Sequence, residues 1–287
     1  MSRRLRSEPS TSKYTVQRIG RGKRETVEDS VAAEEPLEIR VIGHDGGQNV
    51  QKSLVVTMRT PGDDFELAAG FLYNEGIVQR REDILDVAYC LDEAQPQERN
   101  IVSVTLGPDA QLDPTRLDRN FFANSSCGVC GKATLESLEL IGHNPIEGGP
   151  QFSERVLKTL PAAMREKQLT FQQTGGLHAS ALFDSAGNLI DLREDIGRHN
   201  TVDKLVGERL MKGEMPLSEN GLVVSGRAGF EILQKALAAR VPLVAAVGAP
   251  STLAVDVATE FGITLIGFLN ADGFNVYCHP DRIAAQA

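Results

Sequence analysis

Beyond residue 174, short apolar runs alternate with amphipathic stretches in a regular order. "GLHASALF" (176–183) and "LIDLRE" (189–194) flank the turn sequence "DSAGN", which predicts a β-hairpin. After Arg193 the chain reads strand, loop, helix in succession. "GLVVSGR" leads into "AGFEILQKALAAR", whose Phe230, Leu233 and Leu237 form one stripe. "VPLVAAVGAP" leads into "STLAVDVATEFG", where Leu253, Val257 and Phe261 form another, and "ITLIGFL" follows. This βαβαβ run predicts a right-handed parallel sheet covered by helices, with "FNVYC" as an edge strand.

The first half is patterned more loosely. "LEIRVI" (37–42), "SLVVTMRT" (53–60), "NIVSVTL" (100–106) and "RNFFAN" (119–124) read as strands. "DDFELAAGFLYNEG" reads as a short helix with Phe65, Ala68 and Leu72 on one face and an aspartate pair at its start. "SERVLKTLPAAMREK" (153–167) reads as a helix broken or kinked at Pro161. The expected division is a basic, poorly ordered arm over 1–35, a β-rich part with a short helix over 36–125, and an α/β cofactor-binding domain with its cysteine loop over 126–287.

Composition narrows the function classes. The 287 residues are 41% apolar, as in a globular protein with a real core, and carry a net charge of −9. That sign argues against non-specific binding to nucleic acid or to an anionic membrane. The charge is uneven: Arg3, Arg4, Arg6, Lys13, Arg18, Arg21, Lys23 and Arg24 face only Glu8 in the first 24 residues, which leaves −16 for the rest. The plain reading of this arm is a solvated terminus. No apolar signal core follows Met1 and no run approaches the length of a membrane span, so a cytoplasmic location is expected. In a reducing compartment four cysteines do not form a disulfide framework, and the close pair in "SSCGVCGKATLESL", Cys127 and Cys130, is expected to be chemical.

Three loops at predicted strand ends suit a large anionic ligand. "EDIGRHN" holds Gly197, Arg198, His199 and Asn200; "SGRAGFE" holds Gly226, Arg227 and Gly229; "GAPST" ends in Ser251 and Thr252, candidate helix N-caps. "TGGLH" adds Gly175, Gly176 and His178 before a strand. Small residues let backbone approach a ligand, helix starts point N–H groups at anions, and arginine matches phosphate in bidentate fashion. A polyphosphate or nucleotide fits this set, although neither a Walker lysine loop nor a GxGxxG fingerprint is present. Each loop alone is also ordinary turn chemistry, and each histidine alone an ordinary structural residue.

The spacing of Cys127 and Cys130 admits three chemistries. A structural zinc site needs two more ligands, and Cys90, Cys278 and His279 make a poor second knuckle. A redox pair is favoured by the helix that follows, whose N-terminus lowers a thiol pKa. A thiolate that accepts sulfur as a persulfide is the third, and spacing alone leaves them open.

Longer motifs resemble one family. "TPGDDFELAAGFLYNEGIV", "CGVCGK", "TGGLHAS", "EDIGRHNTVDKLVG", "SGRAGFEILQKA", "GAPSTLAVDVATEFGITLIGF" and "FNVYCHPDR" occur in the order and character of the formate dehydrogenase accessory sulfurtransferases, from about residue 36 to the C-terminus. The resemblance implies a carrier that takes sulfur from a cysteine desulfurase and delivers it to the molybdenum of bis(molybdopterin guanine dinucleotide), the cofactor of formate dehydrogenase. It implies Cys127 as persulfide carrier with Cys130 assisting, and a homodimer. The cofactor site would comprise Gly175, Gly176, His178, Gly197, Arg198, His199, Gly226, Arg227 and the loop Phe268, Leu269, Asn270, Ala271, Asp272 and Gly273, with GDP expected to bind as a fragment. Gly229 and Asn270 stand where the family commonly has serine and arginine. The implied fold is a cytidine-deaminase-like three-layer α/β domain with an added N-terminal β-rich part. Deamination itself is excluded, because "HAS" puts Ser180 where the proton-shuttling glutamate of H-x-E would stand.

Overall fold

The computed structural model describes residues 10–20, 22–45, 48–90, 99–108, 110 and 144–284. Cys127, Cys130 and the predicted strand at 119–124 lie outside the described residues. Thr11–Gly20 (β1) and Lys23–Ala32 (β2) pair antiparallel, Thr11 opposite Ala32 and Gly20 opposite Lys23. The stretch expected to be an unstructured arm is therefore a hairpin over these residues. Two of its basic side chains have partners just past residue 24: Lys13 lies 3.8 Å from Glu28 and Arg18 lies 4.0 Å from Glu25. These pairs are solvent-exposed and contribute little stability, so the backbone ladder holds the hairpin.

Glu35–Asp45 (β3) and Gln48–Arg59 (β4) run antiparallel, and Ile84–Tyr89 (β5) and Ile101–Leu106 (β6) complete a four-stranded sheet in the order β4-β3-β6-β5. Leu37, Ile39 and Val41 of β3 and Val102, Val104 and Leu106 of β6 bury one face against Leu67, Ala68 and Leu72 of the helix Asp64–Asn74 (α1). Phe65, read as part of that helix face, is only half-buried and stacks on Tyr89 with ring centroids 4.8 Å apart.

A six-stranded sheet forms the larger domain. Phe152–Ser153 (β7) precedes the helices Glu154–Lys167 (α2) and Leu169–Thr174 (α3). Helix α2 passes through Pro161 without the break that was one of the two expected outcomes there. The missing N–H costs one hydrogen bond, and Leu157, Leu160 and Met164 bury the helix face that compensates. His178–Phe183 (β8) and Leu189–Asp195 (β9) form the expected hairpin. The chain then alternates Arg198–Met211 (α4), Gly221–Val224 (β10), Phe230–Ala238 (α5), Leu243–Ala246 (β11), Thr252–Glu260 (α6) and Thr264–Gly267 (β12). Asn275–Cys278 (β13) is an antiparallel edge strand, and Ile283–Ala284 (β14) pairs with β7.

The strand order is β13-β12-β11-β10-β8-β9. Strands β10, β11 and β12 are parallel, while β8 runs against both β10 and β9. Strands β9 to β12 thus share one direction, and their carboxyl ends meet at one edge. Pleating divides the sheet's side chains between two cores. Leu222, Val224, Val244 and Leu265 face α4, α5 and α6, whereas Val223, Leu243, Ala245 and Ile266 face α2. The result is a mixed α/β sandwich of three layers. Among the described residues no helix is long and apolar enough to cross a membrane.

Candidate functional site

Asp195 ends β9 with its side chain fully buried. Its Oδ1 accepts from the Gly197 N–H at 2.8 Å and Asn200 Nδ2 at 2.9 Å, and its Oδ2 accepts from the Thr60 N–H at 3.1 Å and stands 2.7 Å from Lys204 Nζ. Four fixed donors clamp the turn between β9 and α4. Gly197 is required there, because a Cβ would stand 2.7 Å from Asn200 Nδ2. One residue further, Thr201 Oγ1 donates to the Arg198 carbonyl at 2.7 Å and lies 2.6 Å from Ser180 Oγ. The serine of "HAS" is thereby a buried support for α4.

This clamp sets Arg198 and His199 on the first turn of α4, at the carboxyl edge of the sheet. His199 Nδ1 is hydrogen-bonded to Glu231 Oε2 on the first turn of α5. The hydrogen bond from His199 holds the Glu231 carboxyl below the usual carboxylate range against the opposing effect of burial. His178 opens β8 at the same edge, beside Gly226, where a Cβ would stand 3.3 Å from His178 Nδ1. Burial first, then neighbouring Arg198 and the His199 ring, push the His178 imidazole below the ordinary histidine range. Arg227 adds to this in the loop after β10, and Asp195 opposes it. Among the described residues, the Arg198 and Arg227 guanidiniums and both His178 ring nitrogens have no hydrogen-bond or ion-pair partner.

Backbone bonds join the remaining loops into a continuous rim. The Gly226 carbonyl accepts from the Gly248 N–H at 2.9 Å, and the Gly248 carbonyl from the Phe268 N–H at 3.1 Å. A Cβ on Gly248 would lie 2.9 Å from the Gly226 oxygen, so close approach excludes any larger residue. Ser251 caps α6 by accepting from the Ala254 N–H at 3.2 Å, while Thr252 is the first helical residue and not a cap. Gly229 caps α5 without a side-chain bond, leaving its first N–H groups open to the edge.

The structure thus brings the described members of the expected set to one edge, in unequal roles. Phe268 is exposed, with φ 57°, and Ala271, Asp272 and Gly273 lie in its loop. Leu269 is a core residue, 1% exposed, whose N–H donates to the Ala246 carbonyl. Asn270, expected as a neutral ligand contact, is occupied within its own turn: Nδ2 donates to the Phe268 carbonyl, and Oδ1 accepts from the N–H groups of Asp272 and Gly273. Gly175 caps α3 with φ 67°, and Gly176 lies by Ala32 at the base of the N-terminal hairpin. Cys278 is buried, its Sγ 3.3 Å from Thr259 Oγ1, and among the described residues no three His, Cys, Asp or Glu side chains converge as a metal site requires.

Sequence reasoning missed Asp195, Lys204 and Glu231. Asp195 stands within the quoted "EDIGRHN", but its role depends on Thr60 from the other sheet. Glu231 reads as a surface charge until the fold sets α5 beside α4.

Comparison with known proteins agrees with this architecture. The model of the FdhD/NarQ family matches residues 32–284. A Streptomyces coelicolor protein named sulfur carrier protein FdhD is 46% identical over 281 residues, covering 96% of this chain and 97% of its own. A Sulfolobus acidocaldarius protein of the same name is 40% identical over 271 residues, covering 94% and 98%. A crystal structure described as a formate dehydrogenase accessory protein, from Desulfotalea psychrophila, shares the fold with a TM-score of 0.74 at 23% identity, covering 96% of this chain and 100% of its own. With a family model spanning nearly the whole length and relatives at this identity, the chain belongs to the FdhD/NarQ family.

Proposed function

We propose that this protein is a sulfur carrier for formate dehydrogenase maturation, and that its client, the molybdenum bis(molybdopterin guanine dinucleotide) cofactor, binds at the carboxyl edge of the large sheet. The observation that carries the binding half is the gathering, around open helix starts, of Arg198, Arg227 and His178 with no hydrogen-bond or ion-pair partner among the described residues, a set suited to pyrophosphate. Family membership and the Cys127–Cys130 pair support the sulfur half. Cys127 thiolate attacks the terminal sulfur of a cysteine desulfurase persulfide; the new S–S bond forms as the desulfurase thiolate leaves. When Cys130 thiolate then attacks the inner sulfur of Cys127, a disulfide closes and sulfide departs to the molybdenum, and a thiol reductant reopens the pair. In this reading the sandwich is a cytidine-deaminase-like scaffold that has lost its proton shuttle, and the protein acts in the cytoplasm as a homodimer.

Three measurements test it. Incubation with a cysteine desulfurase and cysteine should add sulfur, about 32 Da per atom, to a reductant-sensitive peptide containing Cys127. Cys127→Ala should block both the adduct and formate dehydrogenase maturation without unfolding the chain; normal maturation by this variant overturns sulfur carriage. Calorimetry should show GDP binding more tightly than ADP, with Arg227→Ala weakening GDP by roughly ten- to a hundredfold. Equal affinities, or no effect of the substitution, would place the cofactor elsewhere.

A further inference from the structure

Arg227 and Tyr277 stand at the two ends of one chain of backbone contacts along the carboxyl edge of the large sheet. A Cβ on Gly248 would lie 3.1 Å from the Arg227 Cα, and one on Gly267 would lie 3.4 Å from the Gly248 oxygen. Ala228 and Pro250 form a parallel bridge that fixes the loops after β10 and β11 to each other. The Cβ on Gly267 would also stand 3.0 Å from Tyr277 Cε2 and 2.7 Å from Pro250 Cδ. The tyrosine ring is therefore seated on bare backbone, beside the proline two residues before α6. Any side chain at 267 would lift it off.

So seated, Tyr277 remains 40% exposed, and Phe268, which follows Gly267, is 47% exposed. Phe268 holds φ 57°, a costly conformation for a bulky residue, fixed by the bond from its N–H to the Gly248 carbonyl. Among the described residues neither ring has a ring contact, and the Tyr277 hydroxyl has no hydrogen-bond partner. Two aromatic side chains are thus held at the rim with nothing to hold on to. We propose that Tyr277, with Phe268 beside it, is the platform on which the guanine base of the bound nucleotide stacks. The inference rests on the reading of this edge as the nucleotide site.

The order of the strands sets the direction of the ligand. From the loop after β10 to β13 there are three strand steps of about 4.8 Å each, a span that an extended nucleoside diphosphate covers. Such a ligand is anionic at one end, flat and aromatic at the other, and neutral between. Residues 268–278 include Asp272 and no Lys or Arg, so the phosphates belong at the arginine end and the base at the tyrosine end. The nucleotide then runs along the edge from the start of α4 to β13. Stacking serves any base, because every base has a π face, so the platform supplies affinity common to GDP and ADP. The preference for guanine comes from other contacts.

The test is calorimetry of the full chain with GDP, ADP and inorganic pyrophosphate. Tyr277→Ala should weaken GDP and ADP by the same factor, roughly five- to a hundredfold, and leave pyrophosphate unchanged. Arg227→Ala should weaken all three, and Tyr277→Phe, which keeps the ring, should bind GDP as wild type does. The chain contains no tryptophan, so Tyr277→Trp places a single reporter on the platform, whose emission GDP should quench and pyrophosphate should not. Pyrophosphate weakened by Tyr277→Ala as much as GDP, or Tyr277→Trp emission that saturating GDP leaves unchanged, overturns the platform while leaving the edge as the nucleotide site. Failure of GDP to bind wild type overturns both.

Discussion

Asp195 shows how one buried carboxylate prepares a site it does not occupy. Standing at the end of β9, it takes its partners from the β9–α4 turn, α4 and the segment after β4, so a single side chain ties both sheets to the turn carrying Arg198 and His199. Asp195→Asn preserves the shape but leaves Lys204 buried without its counter-charge, and breaking a buried pair in this way costs about 3–5 kcal/mol. Urea denaturation should show this loss, and GDP affinity should fall with it as the clamp on Gly197 loosens. Lys204→Met should cost less, because Asp195 retains its bonds to Gly197, Asn200 and Thr60. Equal midpoints for wild type and Asp195→Asn would mean that the ion pair contributes nothing to the fold. His178, Arg198, His199 and Arg227 were legible in the sequence because residue type and loop position suffice to nominate them. Asp195 and Glu231 were not, because their meaning lies in partners from other elements.

Where α1 crosses α4, the backbones touch. A Cβ on Gly70 would lie 1.9 Å from the Asp203 carbonyl oxygen, and one on Gly207 would lie 1.8 Å from that of Glu66. Alanine in a free helix is favoured over glycine by about 1 kcal/mol, so propensity alone predicts that Gly207→Ala stabilises. Overlap at this distance reverses the sign: the helices must separate, and overpacking of this kind costs typically about 1–3 kcal/mol. Thermal and urea unfolding should therefore show Gly207→Ala and Gly70→Ala both destabilised; a gain in stability would show that the crossing is loose. The sequence pattern located α1 but not its crossing with α4, since a glycine in an amphipathic stretch does not announce its neighbour. Helix α2 continues through Pro161 for the related reason that burial of one helix face outweighed a local penalty.

Across the whole molecule, periodicity carried most of the large sheet. The βαβαβ run fixes parallel strands, parallel strands put their following loops at one edge, and that edge was the expected place for a ligand. The N-terminal hairpin escaped because net charge was counted over a stretch that ended before its acidic partners. Charge also separates two scales of electrostatics here. The chain carries −9 overall, which would repel GDP, yet the Arg198 and Arg227 guanidiniums make the edge locally cationic. The Debye length is about 10 Å at about 0.1 M salt, so a bound phosphate senses the edge and little of the distant negative surface. If the net charge governed binding, added salt would strengthen it; if the edge governs, added salt weakens it. GDP affinity measured across a potassium chloride series should fall, and Arg198→Ala combined with Arg227→Ala should flatten the slope as well as lower the affinity. A rising affinity, or a slope unchanged in the double variant, would mean that the nucleotide's phosphates do not meet these two arginines.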